Sequence, residues 1–293
     1  MTNAKHIRFT RRRVGRSVIR LLLALLALLM LLPVIVTFLY SFFSPDEIKT
    51  FLAARGSMAE SSWMDIRLIP SMFSIGQYYQ LLISDTAILQ RFLLSVFYTV
   101  AILIGQAAVL PMMAYALSRF EFRGRGFLFF LLLILMLLPF QVTMVPNVLI
   151  LRSLNLLNTV WAVILPLWFS PFYIFLLRQF MVGLPDDLYE AAQLDGAGTF
   201  HCYVNITLPV CRPVIGAAIA LSFADSWNMV EQPMVFLSKR DDLQPLSVVF
   251  NQLIDTPQGV EFAGAVLFIL PALFIYLYFL EDIVSGIQLT ELK

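Results

Sequence analysis

The sequence predicts an all-α, polytopic membrane protein with six transmembrane helices. Of its 293 residues, 60% are apolar and only 13% are charged. Mean hydropathy is +0.83, whereas soluble domains average about 25% charged residues. Those apolar residues gather into six runs, each close to the roughly 20 residues that cross about 30 Å of hydrocarbon. The remaining chain suffices for loops but not for a second large globular domain.

The first element pairs a basic segment, residues 1–20, with an apolar run over 21–43. Lys5, Arg8, Arg11, Arg12, Arg13, Arg16 and Arg20 stand there without an acidic residue. The run is too long for the core of a signal peptide, and Tyr40-Ser41-Phe42-Phe43 is no small-residue cleavage site, so an uncleaved first helix is expected. An outer loop, 44–91, follows, with Ser74 as a cap for a short helix through Tyr78, Tyr79 and Leu82. The core, 92–282, carries apolar runs over 92–117, 127–145, 159–180, 210–230 and 262–280. With the N-terminus inside, thirteen Lys and Arg fall on inner segments and seven on longer outer loops. The positive-inside rule then puts both termini in the cytoplasm. Proline lies in or beside every run, at Pro33, Pro111, Pro139, Pro146, Pro166, Pro171, Pro209, Pro213 and Pro271, which permits bent helices.

One inner connection, 181–209, has unusual chemistry. Pro185 suits a first helical position, Asp186, Asp187 and Glu190 suit the positive end of a helix dipole, and Gly196 suits a left-handed residue past the helix end. Thr199 is expected to cap a second short helix through Phe200, Tyr203 and Ile206, stopping before Pro209. A helical hairpin resting on lipid would carry a basic face; this one is acidic. An acidic head with Ala191 and Ala192 behind it suits insertion into a groove on a protein partner, where Glu190 meets a cation.

Glu190-Ala191-Ala192, three residues, Gly196, nine residues, Ile206 and then Leu208-Pro209 resembles the signature loop of the permease subunits of bacterial ABC importers. Ala114 to Phe120, Leu154 to Pro166, Phe175 to Phe180 and Trp227-Asn228 resemble the carbohydrate-uptake, maltose-type branch, over about residues 74–280. The resemblance implies a type I permease bundle in the bacterial inner membrane. It further implies an ATPase subunit dimer that receives Glu190, Ala191, Ala192, Asp195, Gly196, Ile206, Leu208 and Pro209. A second permease, an extracytoplasmic solute-binding protein and a sugar or oligosaccharide as cargo also come from it; lipid is a partner and nucleic acid is not.

The chain needs an external energy source. It contains no Gly-Lys pair, so it lacks a phosphate-cradling loop of its own; ATP would be bound by the partner ATPase. An ion-driven secondary carrier usually shows buried carboxylates and repeated halves, and here only Asp225 sits well inside an apolar run. An enzyme would need a metal cluster or a nucleophile with its base; with only His6 and His201, none is expected. An ABC permease for another small polar solute is the nearer alternative.

A substrate path is read from Gln141, Asp225, Trp227 and Asn228. Aromatic faces and paired hydrogen bonds hold sugars, and Trp227 with Asn228 and Asp225 offers both. Trp227 as an interfacial belt residue and Asn228 as a helix end is the competing reading. Gln141, Thr143 and Asn147 serve the path or interhelical bonding equally. His201, Cys202 and Cys211 are expected to pack in or beside the inner loop. The 231–261 loop is expected to be a solvated connection polar enough to meet a binding protein. The tail, 283–293, departs from the glycine-rich ending common in the family.

Overall fold

The computed structural model describes residues 3–56, 70–84, 86–255 and 259–282; the tail 283–293 lies outside the described residues. Among the described residues there is no strand. Four helices are long and apolar enough to cross a membrane, or six if each of two bent helix pairs is one crossing. The contacts divide the chain into two units, residues up to 85 with 256–267, and 86–255 with 268 onward.

In the first unit, α1 (Asn3–Tyr40) is one continuous helix, so the basic segment and the apolar run share it. From Ile19 to Leu39 its large apolar side chains are mostly exposed, as in a helix whose surroundings are lipid. Pro33 is accommodated inside it, and Thr37 Oγ1 donates to the Pro33 carbonyl at 2.8 Å. Helices α2 (Pro45–Gly56) and α3 (Gly76–Tyr79) follow. Ser74 Oγ accepts from the Gly76 amide at 3.0 Å, but the cap position of α3 is Ile75, without a side-chain bond, so Ser74 stands one residue before the expected place. Gln77 is fully buried. Its amide donates to the carbonyls of Tyr40 and Phe43 at 2.7 and 2.9 Å and accepts from the Ala263 amide at 3.2 Å. One side chain thus satisfies carbonyls left over at a helix end.

The second unit is organised by α4 (Thr86–Arg119). Tyr98, Ile102 and Ala114 on it are fully buried. Beyond a turn at Gly124 come α5 (Arg125–Leu137) and α6 (Phe140–Ser153). The expected single helix over 127–145 is broken: the two pieces meet at 110°. Pro139 explains the break, because the residue before a proline is pushed out of the helical region, and Leu138 is extended, with ψ 126°.

Asn155 and Asn158, both with positive φ, carry the chain from α6 into α7 (Val160–Leu167). Asparagine tolerates this region better than most side chains. Asn158 also donates its amide to the Phe236 carbonyl and accepts from the Lys239 amide, both at 2.9 Å. Helix α8 (Pro171–Val182) completes the fourth crossing, with proline at its start. Trp168, between α7 and α8, donates its indole N–H to the Ala101 carbonyl at 3.0 Å. Its ring covers Gly105, where a Cβ would overlap it.

The inner connection holds α9 (Asp187–Leu194) and α10 (Thr199–Cys202) and leads through α11 (Leu208–Val210) into α12 (Arg212–Trp227). The next loop is not the solvated connection expected. It folds into α13 (Glu231–Phe236) and α14 (Leu246–Asp255), and it packs on α4. Tyr98 donates to the Leu243 carbonyl at 3.0 Å, Ser95 Oγ accepts from the Leu246 amide at 2.8 Å, and Arg91 donates to the Gln244 carbonyl at 3.0 Å. Its exposed Arg240–Asp242 pair is bidentate, both bonds at 2.8 Å, and the guanidinium holds the Asp242 carboxyl below its ordinary range. The last helix is α15 (Glu261–Tyr278), with Pro271 inside it.

Candidate functional site

The inner connection folds as a short helix, a glycine turn and a second helical stretch. Helix α9 starts at Asp187, with Asp186 as its cap residue, so Pro185 stands two residues before the helix rather than at its first position. Asp187 and Glu190 lie in the first turn and both are exposed, where negative charge complements the dipole. The helix ends with two backbone bonds: Gly196 donates to the Gln193 carbonyl and Ala197 to the Ala192 carbonyl, each at 2.9 Å. This pair of bonds is the Schellman arrangement, which requires a left-handed residue. Gly196 supplies it at φ +83°.

The second helical stretch departs from expectation at both ends. Thr199 is the first residue of α10 rather than its cap; Gly198 holds that place, without a side-chain bond. The helix does not stop before Pro209 either. A π-turn, Tyr203–Thr207, leads into α11, where Pro209 sits in the first turn and its missing N–H has no intrahelical partner to lose. The stretch then turns by 74° at Cys211 into α12.

The predicted residues divide between outside and inside. Glu190, Ala191, Asp195, Gly196 and Pro209 are exposed, while Ala192, Ile206 and Leu208 are half-buried and pack on the core around Tyr189 and Tyr203. Ala192 therefore packs partly on its own bundle. Beside the turn lies a depression of about 350 Å³ lined by Ala192, Asp195, Gly196, Ala197, His201 and Ile206, among others. Cys202 and Cys211 are buried and unbridged, as ordinary packing requires. His201 instead is exposed, with Nδ1 at 3.2 Å from Asn205 Nδ2.

Five residues that sequence reasoning did not select complete the site. Leu194 is 89% exposed and Phe200 74%, on either side of the glycine turn. Exposed large apolar side chains beside an acidic head suit burial against another protein. On the inner side, Tyr189 is buried, and its hydroxyl lies 2.9 Å from the buried Thr207 Oγ1, joining the two helical stretches. Arg119, the last residue of α4, holds the whole unit. It donates to the carbonyls of Met181 and Leu184, both at 2.8 Å, pairs with Asp186, and lies over the Tyr189 ring. In the sequence Arg119 closes an apolar run and belongs to the Ala114–Phe120 stretch that carries the resemblance, but nothing there assigns it to the inner connection.

The substrate-path residues each take a partner within the protein. Trp227 is 2% exposed and stacks between Phe223 and Phe268, with centroids at 5.6 and 5.1 Å, while its indole N–H donates to the Phe268 carbonyl at 3.0 Å. Both ring faces are covered, so Trp227 is neither a sugar platform nor an interfacial belt residue. Asn228 closes α12 and donates to the Ala224 carbonyl at 2.9 Å, the helix-end reading. Asp225 accepts from the Tyr173 hydroxyl at 2.6 Å, and Gln141 donates to the Glu231 carboxylate at 3.0 and 3.2 Å. Thr143 bonds within its own helix, to the Phe140 carbonyl at 3.0 Å. No group of three or more metal-ligating side chains occurs among the described residues.

Residues 107–285 match the family described as the inner membrane component of binding-protein-dependent transport systems. The chain is 32% identical over 203 residues to the arabinooligosaccharides transport system permease protein AraQ of Halalkalibacterium halodurans, covering 68% of this chain and 72% of that one. It is also 32% identical over 211 residues to the diacetylchitobiose uptake system permease protein NgcG of Streptomyces coelicolor, covering 70% of each. Its fold is similar to a chain in the crystal structure of a bacterial ABC transporter involved in import of the acidic polysaccharide alginate. The TM-score is 0.78 at 24% identity, over 92% of this chain and 96% of that one. Members of the matched family are ABC importer permeases, which work with ATPase and solute-binding partners. The match spans the helices that build the site just described, from the middle of α4 through the inner connection to the end of α15, and by it the chain belongs to the binding-protein-dependent transport system inner membrane component family.

Proposed function

We propose that this chain is the permease subunit of an ATP-driven importer for a sugar or oligosaccharide, and that the 186–209 unit is its docking knuckle for the ATPase. The observation that carries the reading is the two-sidedness of that unit. Its outer side offers Glu190, Leu194, Gly196 and Phe200, an acidic head and an apolar rim, and its inner side is fastened to α4 through Arg119. A push on the outer side therefore reaches a membrane-spanning helix without passing through a flexible joint. In this reading two ATPase subunits bind the ATP, a second permease supplies the other half of the pathway, and an extracytoplasmic binding protein delivers the cargo to the packed 231–255 loop. Both termini lie in the cytoplasm. The sugar class follows the two named relatives, for arabinooligosaccharides and diacetylchitobiose.

Gly196→Val tests it. A Cβ at this position meets nothing within 4 Å, so the penalty is the backbone's alone, about 1 kcal/mol or more at positive φ. The bundle is expected to fold and insert while transport is abolished. Gly196→Asn, which tolerates positive φ, is expected to retain part of it. Normal uptake by the valine variant refutes the docking role, and a disulfide-trapped Leu194→Cys that captures no ATPase in importing cells does the same.

A further inference from the structure

A groove of about 350 Å³ runs along the surface between α4 and α5, lined by apolar side chains alone, among them Met113, Leu117, Phe122, Leu131, Leu135 and Phe169. Two arginines converge on the backbone of one of its lining residues, Leu117. Arg125 Nε donates to the Leu117 carbonyl at 3.0 Å, and Arg178 Nε reaches the same oxygen at 3.5 Å. Arg125 also holds the carbonyls of Ser118 and Phe120, at 3.0 and 3.4 Å. Arg178 lies over the Phe129 ring, 4.0 Å from its centroid. Two guanidiniums sharing one carbonyl repel each other, more strongly where water is scarce. Among the described residues no carboxylate lies within ion-pair distance of either. Glu121, in the same turn, is exposed and pairs with neither, and Arg123 beside it adds a third positive charge. The terminal nitrogens of Arg178 have no acceptor among the described residues.

We propose that this groove and the Arg125–Arg178 pair form a site for one anionic phospholipid, with its phosphate on the guanidiniums and an acyl chain along the apolar walls. The two halves select the occupant together. A soluble anion would neutralise the arginines but leave the groove bare, and a zwitterionic lipid would cover the groove without offsetting the charge. A lipid with a net negative head does both, and arginine suits phosphate because its fork of donors matches two phosphate oxygens.

The test uses the full chain, extracted in mild detergent with whatever partners it carries, and native mass spectrometry after addition of dioleoylphosphatidylglycerol or dioleoylphosphatidylcholine. The wild type is expected to retain one phosphatidylglycerol with about tenfold preference. Arg178→Gln is expected to lose the preference; Arg125 is left intact because it holds three carbonyls. Leu131→Trp, which fills the groove without touching a charge, is expected to lower retention of both lipids. Equal retention of the two lipids by the wild type overturns the proposal, as does a preference unchanged in both variants. Displacement of the lipid by millimolar inorganic phosphate as readily as by added phosphatidylglycerol overturns it in favour of a solute anion. A photo-crosslinker at Leu131 that captures protein instead of lipid overturns it in favour of a protein interface.

Discussion

The guanidinium carbon of Arg119 lies 4.1 Å from the centroid of the Tyr189 ring. The last residue of the longest helix in the second unit and the buried face of the short helix α9 are thus in direct contact, an arrangement worth about 0.5–2 kcal/mol by itself. The two bonds to the carbonyls of Met181 and Leu184 add the larger share: the Leu184 carbonyl loses this donor once the arginine is gone, while the Met181 carbonyl keeps the Leu184 amide at 3.3 Å.

Arg119→Ala is therefore expected to destabilise the chain by about 2 kcal/mol and to lower transport at least tenfold, with membrane insertion intact. Asp186→Asn removes only the exposed partner of the ion pair, whose side chain is 80% exposed, and is expected to change either quantity little. Thermal unfolding in detergent and uptake in cells, measured on both variants, check the contrast. Equal effects would show that the ion pair, not the carbonyl bonds, fastens the knuckle.

Tyr189 and Thr207 test the link between the two helical stretches. Thr207→Val orphans the buried Tyr189 hydroxyl and is expected to cost about 1–3 kcal/mol, whereas Tyr189→Phe leaves Thr207 Oγ1 its bond to the Cys202 carbonyl at 3.3 Å and is expected to cost less. The double variant is expected to cost less than the sum of the two, because neither hydroxyl is then left alone. A double-mutant cycle on unfolding free energy reads the difference; strict additivity would mean that the two groups act separately.

Trp227 is expected to behave as a packing residue. Trp227→Ala should cost about 3–5 kcal/mol and reduce the amount of folded chain in the membrane. Trp227→Phe should preserve uptake and its apparent KM, because the neighbouring rings still close around it. A raised KM at unchanged protein level in the phenylalanine variant would return this residue to the substrate path.

What the sequence made legible was local. The acidic first turn of α9 and the left-handed glycine after it are set by residues within a dozen positions of one another, and both are found. Ser74 meeting the Gly76 amide is of the same kind. The bonds of Arg119 to Met181 and Leu184 join positions more than sixty apart, and no periodicity or cap rule reaches that far. Trp227 misled for a related reason: a tryptophan at the end of an apolar run fits an interface as well as a core, and only the arrival of Phe268 from α15 decides between them. The charges of the loop after α12 predict a solvated connection, yet Leu246 and Val248 are buried; a short amphipathic helix hides its apolar side within a polar average. Pro139 marked a bend, but its angle depended on Leu138 becoming extended.

That break in the third crossing has a consequence for the lipid around it. Thirteen residues of α5 span about 20 Å, whereas the hydrocarbon layer is about 30 Å thick, and α6 leaves at too steep an angle to make up the difference. A crossing that relies on α5 alone is expected to compress the acyl chains beside Leu137, at a modest cost for each ångström of mismatch. Reconstitution in bilayers of graded chain length should accordingly favour thinner membranes, and an optimum in thick ones would mean that α5 is not exposed to lipid along its length.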